Sequence, residues 1–163
     1  MEGGTVANMG WRPRIVSVKV SSGAGGVGKV ANVVLTGPEG EKVEASWIDE
    51  GKGPASLRRA IGHATVHALG PCLQPGYGLS VESVSALKIG SRRIVTAVVK
   101  VVSPTSEDVL TGAVLTSDNP DMAVVKAVLD ALNRRLDRLS TDALVKISSG
   151  SRLATASLPA HKP

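Results

Sequence analysis

The chain has 163 residues, 42% of them hydrophobic, and a formal net charge of +5 at pH 7. This size and apolar content predict one globular domain, or two small fused units, with enough chain to bury a core. The one cysteine, Cys72, excludes an internal disulfide, which is typical of a reducing compartment, so we expect a cytoplasmic protein. Because there is neither an apolar run of about twenty residues nor a secretory h-region, we expect no membrane span and no export signal.

The basic residues do not form a pattern typical of nucleic-acid binding. Single-stranded nucleic acid stacks on aromatic side chains, and this chain has two Trp, one Tyr and no Phe. No predicted helix resembles a basic recognition helix. We therefore expect no nucleic-acid partner, and we interpret the three arginine pairs as solvated surface groups: Arg58-Arg59, Arg92-Arg93 and Arg134-Arg135.

The first half of the chain predicts three strands followed by a helix. Apolar and polar residues alternate in the first strand, and Val43, Ala45 and Trp47 share one face of the third. The helix begins at Pro54, whose missing N–H costs nothing there, and ends at a C′ glycine, Gly70. The predicted ranges are strands over 14–21, 29–36 and 42–49 and a helix over 54–69, with an apolar stripe of Leu57, Ala60, Ile61, Ala64 and Ala68.

The second half repeats this order. Turns at Gly90-Ser91 and Ser103-Pro104 separate three strands, and the helix that follows has Asn119 as its N-cap and Pro120 at its first position. The predicted ranges are strands over 79–89, 93–102 and 109–116 and a helix over 120–139. That helix is predicted to bury Val125, Val128, Leu129, Leu132, Leu136 and Leu139 and to expose Lys126, Asp130, Arg134 and Asp137.

We therefore predict an α+β fold, a tandem duplication of a β-β-β-α unit with antiparallel sheets covered by two helices. Such a duplication favours a pseudo-two-fold arrangement of the two units. The predicted organisation is a flexible tail over 1–13, a domain over 14–139 made of units 14–70 and 78–139, and a weakly ordered tail over 140–163.

A glycine-rich stretch, Gly23 to Lys29, matches the G-x-x-x-x-G-K part of a nucleotide-binding P-loop. Val30 stands where a P-loop has the Ser or Thr that binds magnesium, and the β-branched residues that follow predict a strand instead of the phosphate-binding helix. We favour a flexible hairpin loop. A P-loop-like nucleotide-binding protein remains the alternative function.

The chain has no recognisable catalytic or metal-binding pattern. His63 and His67 are four residues apart on the first predicted helix, as in a metal-binding pair, but no third ligand is evident, and we expect solvent-facing histidines. No Ser-His-Asp or Cys-His arrangement and no acid–base pair of carboxylates is recognisable. We therefore expect a protein that is not an enzyme, with no metal and no cofactor.

The turn before the first helix is the strongest candidate for a ligand site. Gly51 and Gly53 flank Lys52 and allow a positive φ or a close approach of a ligand to the backbone, and Pro54 opens the helix. The free N–H groups at a helix start and the helix dipole attract a carboxylate or a phosphate. The alternative is an ordinary strand-to-helix connection that needs glycine for its geometry alone.

Two sequence pieces are specific enough to compare with known families: the turn Gly51-Lys52-Gly53-Pro54-Ala55 and the helix run from Lys126 to Arg134. Together with the doubled β-β-β-α order, they resemble the C-terminal allosteric domain of α-isopropylmalate synthases. The resemblance covers about residues 14–139. In that family the domain dimerises and binds the end-product amino acid, leucine or isoleucine, at the dimer interface, and so inhibits a separate catalytic barrel.

The resemblance implies an effector pocket formed by seven positions of this chain. Glu82, Ala86 and Thr96 lie at even spacing on their strands, so we expect strand alternation to place them on one face. Two departures from the family pattern are Glu82, where the family often has tyrosine, and Arg92-Arg93, in a turn that commonly carries an acidic residue. The implied effector-binding residues are Gly51, Gly53, Pro54, Glu82, Ala86, Thr96 and Asp118.

The resemblance implies a stand-alone regulatory module of leucine biosynthesis and not a synthase, because a (β/α)₈ barrel needs at least about 200 residues. We expect a homodimer that binds a small effector, a branched-chain amino acid or a relative of one, at the dimer interface. A separately encoded synthase subunit is a possible partner. A non-binding structural subunit of such a synthase is a further alternative.

Overall fold

The computed structural model describes residues 10–116 and 118–140. Two three-stranded antiparallel sheets follow one another along the chain, each with its strands in sequence order and each followed by a helix. Sheet 1 consists of β1 (Ile15–Ser22), β2 (Lys29–Thr36) and β3 (Lys42–Asp49), and sheet 2 consists of β4 (Gly78–Ile89), β5 (Arg92–Val102) and β6 (Glu107–Leu115). The helices are α1 (Gly53–Leu69), α2 (Pro120–Leu132) and the short α3 (Leu136–Leu139). The predicted α+β class and the repeated β-β-β-α order are confirmed.

The central strand of sheet 1 shows how alternation builds the core. Ala31, Val33 and Leu35 of β2 are fully buried, whereas Asn32 and Val34 between them are only half-buried on the opposite face. Burying an aliphatic side chain of this size contributes about 1.5–3 kcal/mol relative to leaving it exposed. Their partners on β3, which α1 covers, are the three residues predicted to share a face: Val43, Ala45 and Trp47. Sheet 2 repeats the pattern with the buried β5 residues Val95, Ala97, Val99 and Val101.

Each helix contacts the first strand of the other unit as well as the strands of its own unit. Helix α1 packs against β2 and β3 of its own unit and against β4 of the other, while α2 packs against β5 and β6 and also touches β1. The two helices also pack against each other. The α1–β4 contact is much more extensive than the α2–β1 contact, and each helix is buried on more than one side. The pseudo-two-fold arrangement stays a prediction.

The middle of α1 and the C-terminal half of α2 contact the same row of sheet 2. Gly62 of α1 lies against Val84 of β4, since a Cβ at position 62 would be 3.0 Å from a Val84 methyl group. Gly112 of β6 lies against the backbone of α2. Val84 and Gly112 are both partners of Ala97 on the central strand β5, so they belong to one row across the sheet.

The C-terminal ends of the two helices also meet. Leu73, just after α1, forms a β-bridge with Ser140, just after α3, and the backbone N–H of Gln74 donates to the carbonyl of Leu139 at 2.8 Å. The helices therefore run in the same direction, and both begin at the opposite end of the domain. We call this end, which contains residues 49–54 and 118–120, the helix-start end.

The second helix is shorter than predicted. Asn119 caps it, accepting from the backbone N–H of Met122 at 3.1 Å, but α2 ends at Leu132 instead of continuing to position 139. A turn over 133–135 follows, and Arg135 donates to Asp108 of β6 at 3.1 Å. After the turn, α3 buries Leu136 and Leu139. All six apolar residues predicted to be buried are buried, and the four predicted to be exposed are exposed.

The first helix ends differently from the prediction. Gly70 has φ −49° and ψ −49°, which is right-handed helical backbone, so it is not a left-handed C′ glycine. The chain continues into a 3-10 turn over Gly70–Cys72. Pro71 lies in the first turn of this 3-10 helix, where its missing N–H costs no hydrogen bond, so it is tolerated directly after α1.

The predicted tails fall largely outside the described residues, which leave out 1–9 and 141–163. Trp11, within the predicted N-terminal tail, packs against the core and donates from Nε1 to the carbonyl of Thr36 at 3.1 Å. Over the parts of the chain that are described, no helix combines the length and the apolar character needed to cross a membrane.

Candidate functional site

The turn from β3 into α1 leaves the start of the helix uncapped. Gly53 has φ +83°, a left-handed conformation that favours glycine, and Pro54 occupies the first turn of the helix. Lys52 is the N-cap residue, and its side chain makes no capping hydrogen bond. The backbone N–H groups of the first turn are therefore not satisfied by a capping side chain, so they are available to an anionic group.

A hydrogen-bonded carboxylate holds the turn in place. Asp49 accepts from Arg59 Nε at 2.8 Å and from the backbone N–H of Gly51 at 2.9 Å. The Arg59 hydrogen bond is the main reason why the pKa of Asp49 lies below its ordinary value of 3.8. Since Arg59 lies on α1 and Asp49 ends β3, this ion pair ties the helix start to the strand.

Two buried polar atoms in the first turns of α1 have no hydrogen-bond partner among the described residues. They are Ser56 Oγ, on a residue that is 0% exposed, and Arg58 Nε, on a half-buried side chain. The Ser56 hydroxyl also lies near Asp49 and helps to lower its pKa, without forming a hydrogen bond of good geometry. A buried hydroxyl without a partner costs about 1–3 kcal/mol, so such a group commonly has a functional reason.

Gly51 keeps the space above this hydroxyl open. A Cβ at position 51 would lie 3.2 Å from Ser56 Oγ, 3.0 Å from Asp49 Oδ1 and 2.8 Å from a terminal guanidinium nitrogen of Arg59. Any larger side chain would therefore crowd all three polar groups. Because residue 51 is glycine, the Ser56 hydroxyl, the Asp49 carboxylate and the Arg59 guanidinium lie around a space that no side chain fills.

The structure brings five of the seven implied effector residues towards one end of the domain. Gly51, Gly53 and Pro54 begin α1, and Asp118 precedes α2 at the same helix-start end. Ala86 lies on β4 two residues beyond Val84, in the direction of that end, and is exposed.

Glu82 and Thr96 lie elsewhere, and the expectation that they share a face with Ala86 is wrong. A β-bulge between Val81 and Ser83 interrupts the alternation of β4, so that Glu82 has no partner in the ladder. Thr96 pairs with Ser85, whereas Ala86 pairs with the buried Val95, and the two pairs face opposite sides of sheet 2.

Glu82 instead belongs to an ion-pair cluster on the outer face of sheet 2, the face away from the helices. Its carboxylate lies 3.3 Å from Lys100 Nζ, which is also 2.8 Å from Glu107. These hydrogen bonds, that of Glu107 first, raise the pKa of Lys100 above its ordinary value. Within a single protomer, the carboxylate of Glu82 is therefore already paired with the ammonium group of Lys100.

No protein-family model and no curated protein matches this chain. The resemblance to α-isopropylmalate synthase allosteric domains thus rests on the residues and the order of elements. Sequence reasoning singled out the two glycines of the turn but missed Ser56 and Arg58, since a serine and an arginine in the first turns of a helix ordinarily face water. The spacing of Ser56 and Arg59 could have indicated the site, because residues three apart lie on the same face of a helix.

The glycine-rich stretch forms a hairpin loop, as favoured from the sequence. Gly23 donates to the carbonyl of Gly28 at 3.2 Å, and Gly25, Gly26 and Gly28 have positive φ. Lys29 begins β2, so the helix that a P-loop requires does not follow. In residues 10–116 and 118–140 there is also no group of three or more metal-ligating side chains that could hold a metal ion.

The two histidines of α1 stack on an indole ring. The centroids of His63 and His67 each lie 4.7 Å from that of Trp47, with interplanar angles of 24° and 27°. The expectation of solvent-facing histidines is therefore wrong for His63, which is half-buried. Burial is the main cause that lowers the pKa of His63, followed by repulsion from His67, while Asp49 acts in the opposite direction.

We expect the fold to lose stability as the pH falls through the ordinary histidine pKa. Because the pKa of His63 is below 6.5 in the folded protein, the unfolded chain binds more protons near and below pH 6.5, and the difference disfavours folding until both states are protonated. Thermal unfolding of the wild type and of His63→Gln between about pH 7.5 and about pH 5 measures this effect. The variant should show a smaller decrease in Tm, and equal decreases would contradict the assignment to His63.

Proposed function

We propose that this protein is a homodimeric regulatory module without catalytic activity, which binds a small amino-acid-like effector at the start of α1. The observation that carries the proposal is the Ser56 hydroxyl, fully buried and without a partner at an uncapped helix start. The same chemistry occurs where a protein recognises a carboxylate: free backbone N–H groups, a hydroxyl donor and a guanidinium. This agrees with the family that the turn and the element order resemble.

The charge of the site favours a carboxylate-bearing ligand. The effector carboxylate accepts from the N–H groups of the first turn of α1 and from Ser56 Oγ, beside the guanidinium of Arg59. Asp49 is neutralised by Arg59 and so does not repel it. Because Glu82 lies on the outer face of sheet 2, away from α1, and pairs with Lys100, it is not placed to bind the effector's ammonium group.

The outer face of sheet 2 is the surface that we propose for dimerisation. Its central residues are small, aliphatic or hydroxyl-bearing, Lys100 is neutralised by Glu82 and Glu107, and Arg92 lies at its edge beside the turn between β4 and β5. Such a face can approach its own copy closely, since sheets stack about 10 Å apart when their facing side chains interdigitate. The rows that cross the three strands on this face are Leu87-Ile94-Leu115, Ser85-Thr96-Ala113 and Ser83-Val98-Thr111.

A thermal-shift screen of amino acids and 2-oxo acids tests effector binding. We expect one of leucine, isoleucine, valine or their 2-oxo acids to raise the Tm by several degrees, since a ligand at about 100 times its Kd stabilises by about 2.7 kcal/mol. Ser56→Ala should remove the shift while changing the stability of the free protein little, because the hydroxyl it deletes has no hydrogen bond of good geometry. If all six compounds leave the Tm of the wild type unchanged at millimolar concentration, the effector proposal fails.

Two glycines provide a matched pair of variants for the same screen. Gly53 and Gly40 have φ values of +83° and +82°, and a Cβ at either position would meet no atom within 4 Å. Valine therefore introduces the same backbone strain at both positions, but only Gly53 lies in the turn before α1. Gly53→Val should abolish the ligand-induced shift and Gly40→Val should keep it; loss of the shift in both variants would indicate a general effect of strain.

A further inference from the structure

A basic cleft lies at the helix-start end of sheet 2, where the turn between β4 and β5 meets the start of α2. We propose that this cleft binds a compact polyanion, a small molecule carrying two or more phosphate or carboxylate charges. The cleft has a volume of about 680 Å³ and is lined by Lys88, Ser91, Arg92, Arg93, Thr116 and Pro120. None of the seven implied effector residues lines it.

Two basic residues of the cleft lie directly opposite each other on neighbouring strands. Lys88 and Arg93 are direct partners in the antiparallel register of β4 and β5, which places their side chains on the same face. Like charges in directly opposite positions destabilise a sheet. A cross-strand pair of cations is therefore costly to the free protein, and an anion between the two side chains would remove that cost.

The repulsion is not relieved by acidic side chains of the described residues. No carboxylate there lies within 4.0 Å of Lys88, Arg92 or Arg93. Three described basic residues elsewhere do have acidic partners: Arg59 with Asp49, Lys100 with Glu82 and Glu107, and Arg135 with Asp108. The cleft therefore has Lys88 and Arg93 on one face with no ion-pair partner among the described residues, and Arg92 adds a third basic residue to its lining, which favours an anion.

The lining also restricts what kind of anion fits. The guanidinium groups of Arg92 and Arg93 present planar donor pairs that match phosphate and carboxylate oxygens, and the hydroxyls of Ser91 and Thr116 add neutral donors. No aromatic ring lines the cleft, so it offers nothing on which a nucleobase could stack. A volume in the range of small-molecule sites, about 300–1,000 Å³, suits a metabolite and not a macromolecular surface.

Isothermal titration calorimetry with pyrophosphate and with citrate tests the proposal and separates a phosphate ligand from a polycarboxylate ligand. We expect saturable binding of at least one of them at physiological ionic strength, weakened at least about tenfold in the double variant Arg92→Gln/Arg93→Gln. The control is Lys42→Gln/Lys126→Gln, which changes the net charge equally at two exposed lysines outside the cleft. Absence of binding, or equal weakening in the two double variants, would overturn the proposal.

A charge reversal tests the same cleft without relying on loss of binding alone. Lys88→Glu converts the repulsive pair into an ion pair with Arg93, so the Tm of the free protein should rise while anion binding is lost. Full affinity in this variant would contradict the proposal. The effector-site variant Gly53→Val should leave anion binding unchanged, so the two sites can fail independently.

Discussion

Replacing Gly112 with alanine is expected to destabilise the fold by about 3 kcal/mol, at the upper end of what over-packing a core costs. Gly112 lies in the middle of β6, and its partner Ala97 is fully buried. A Cβ at position 112 would collide with the carbonyl oxygen of Ala127 and the backbone nitrogen of Ala131, both on α2. Because these atoms belong to a helix backbone, they cannot move aside as a side chain would, and α2 must be displaced from the sheet.

Chemical denaturation measures the loss, and Gly78→Ala is the matched control. Gly78 begins β4 without a positive φ, and a Cβ there would meet no atom within 4 Å. Alanine at this position should leave stability unchanged or raise it by about 0.4–1 kcal/mol, because it restricts the unfolded chain. A small effect of Gly112→Ala, comparable to that of the control, would show that α2 is not seated on β6 as described.

The strands followed from local signals, whereas the end of the second helix did not. β2 and β3 occupy 29–36 and 42–49, as predicted, because runs of β-branched or alternating residues are bounded there by Gly and Pro turns. Helical periodicity continued past Leu132, and just beyond the break at that point Arg135 contacts Asp108, 27 residues earlier in the chain. Periodicity contains no information about such a long-range contact.

The candidate site shows the same division between local and long-range information. Glycine and proline marked the turn before α1, because their backbone preferences act locally. The burial of Ser56 depends on the packing of α1 against both sheets, which a single-helix pattern does not report. The bulge after Val81 reversed the expected orientation of Glu82, and nothing in the local sequence announced it.

Replacing Leu87 and Leu115 together with lysine is expected to convert the proposed dimer into a monomer, raising its dissociation constant at least about a hundredfold. The two leucines are 50% and 53% exposed, and both pair with Ile94 in the apolar row on the outer face of sheet 2. In a two-fold contact through this face each lysine is buried with its symmetry mate nearby, so desolvation and repulsion both oppose association. Size-exclusion chromatography with light scattering over a concentration series measures the change.

The control for this prediction is Val16→Lys/Ile48→Lys on the outer face of sheet 1. These residues are 45% and 62% exposed, so the substitutions match in size, charge and exposure. On the outer face of sheet 1, Lys19 and Glu44 form no ion pair with other described residues, whereas Lys100 on sheet 2 is neutralised by two carboxylates, so the face of sheet 1 is less suited to contact its own copy. The control variant should remain a dimer. A wild-type protein that stays monomeric at high micromolar concentration, or a control that dissociates equally, would exclude the outer face of sheet 2 as the dimer interface.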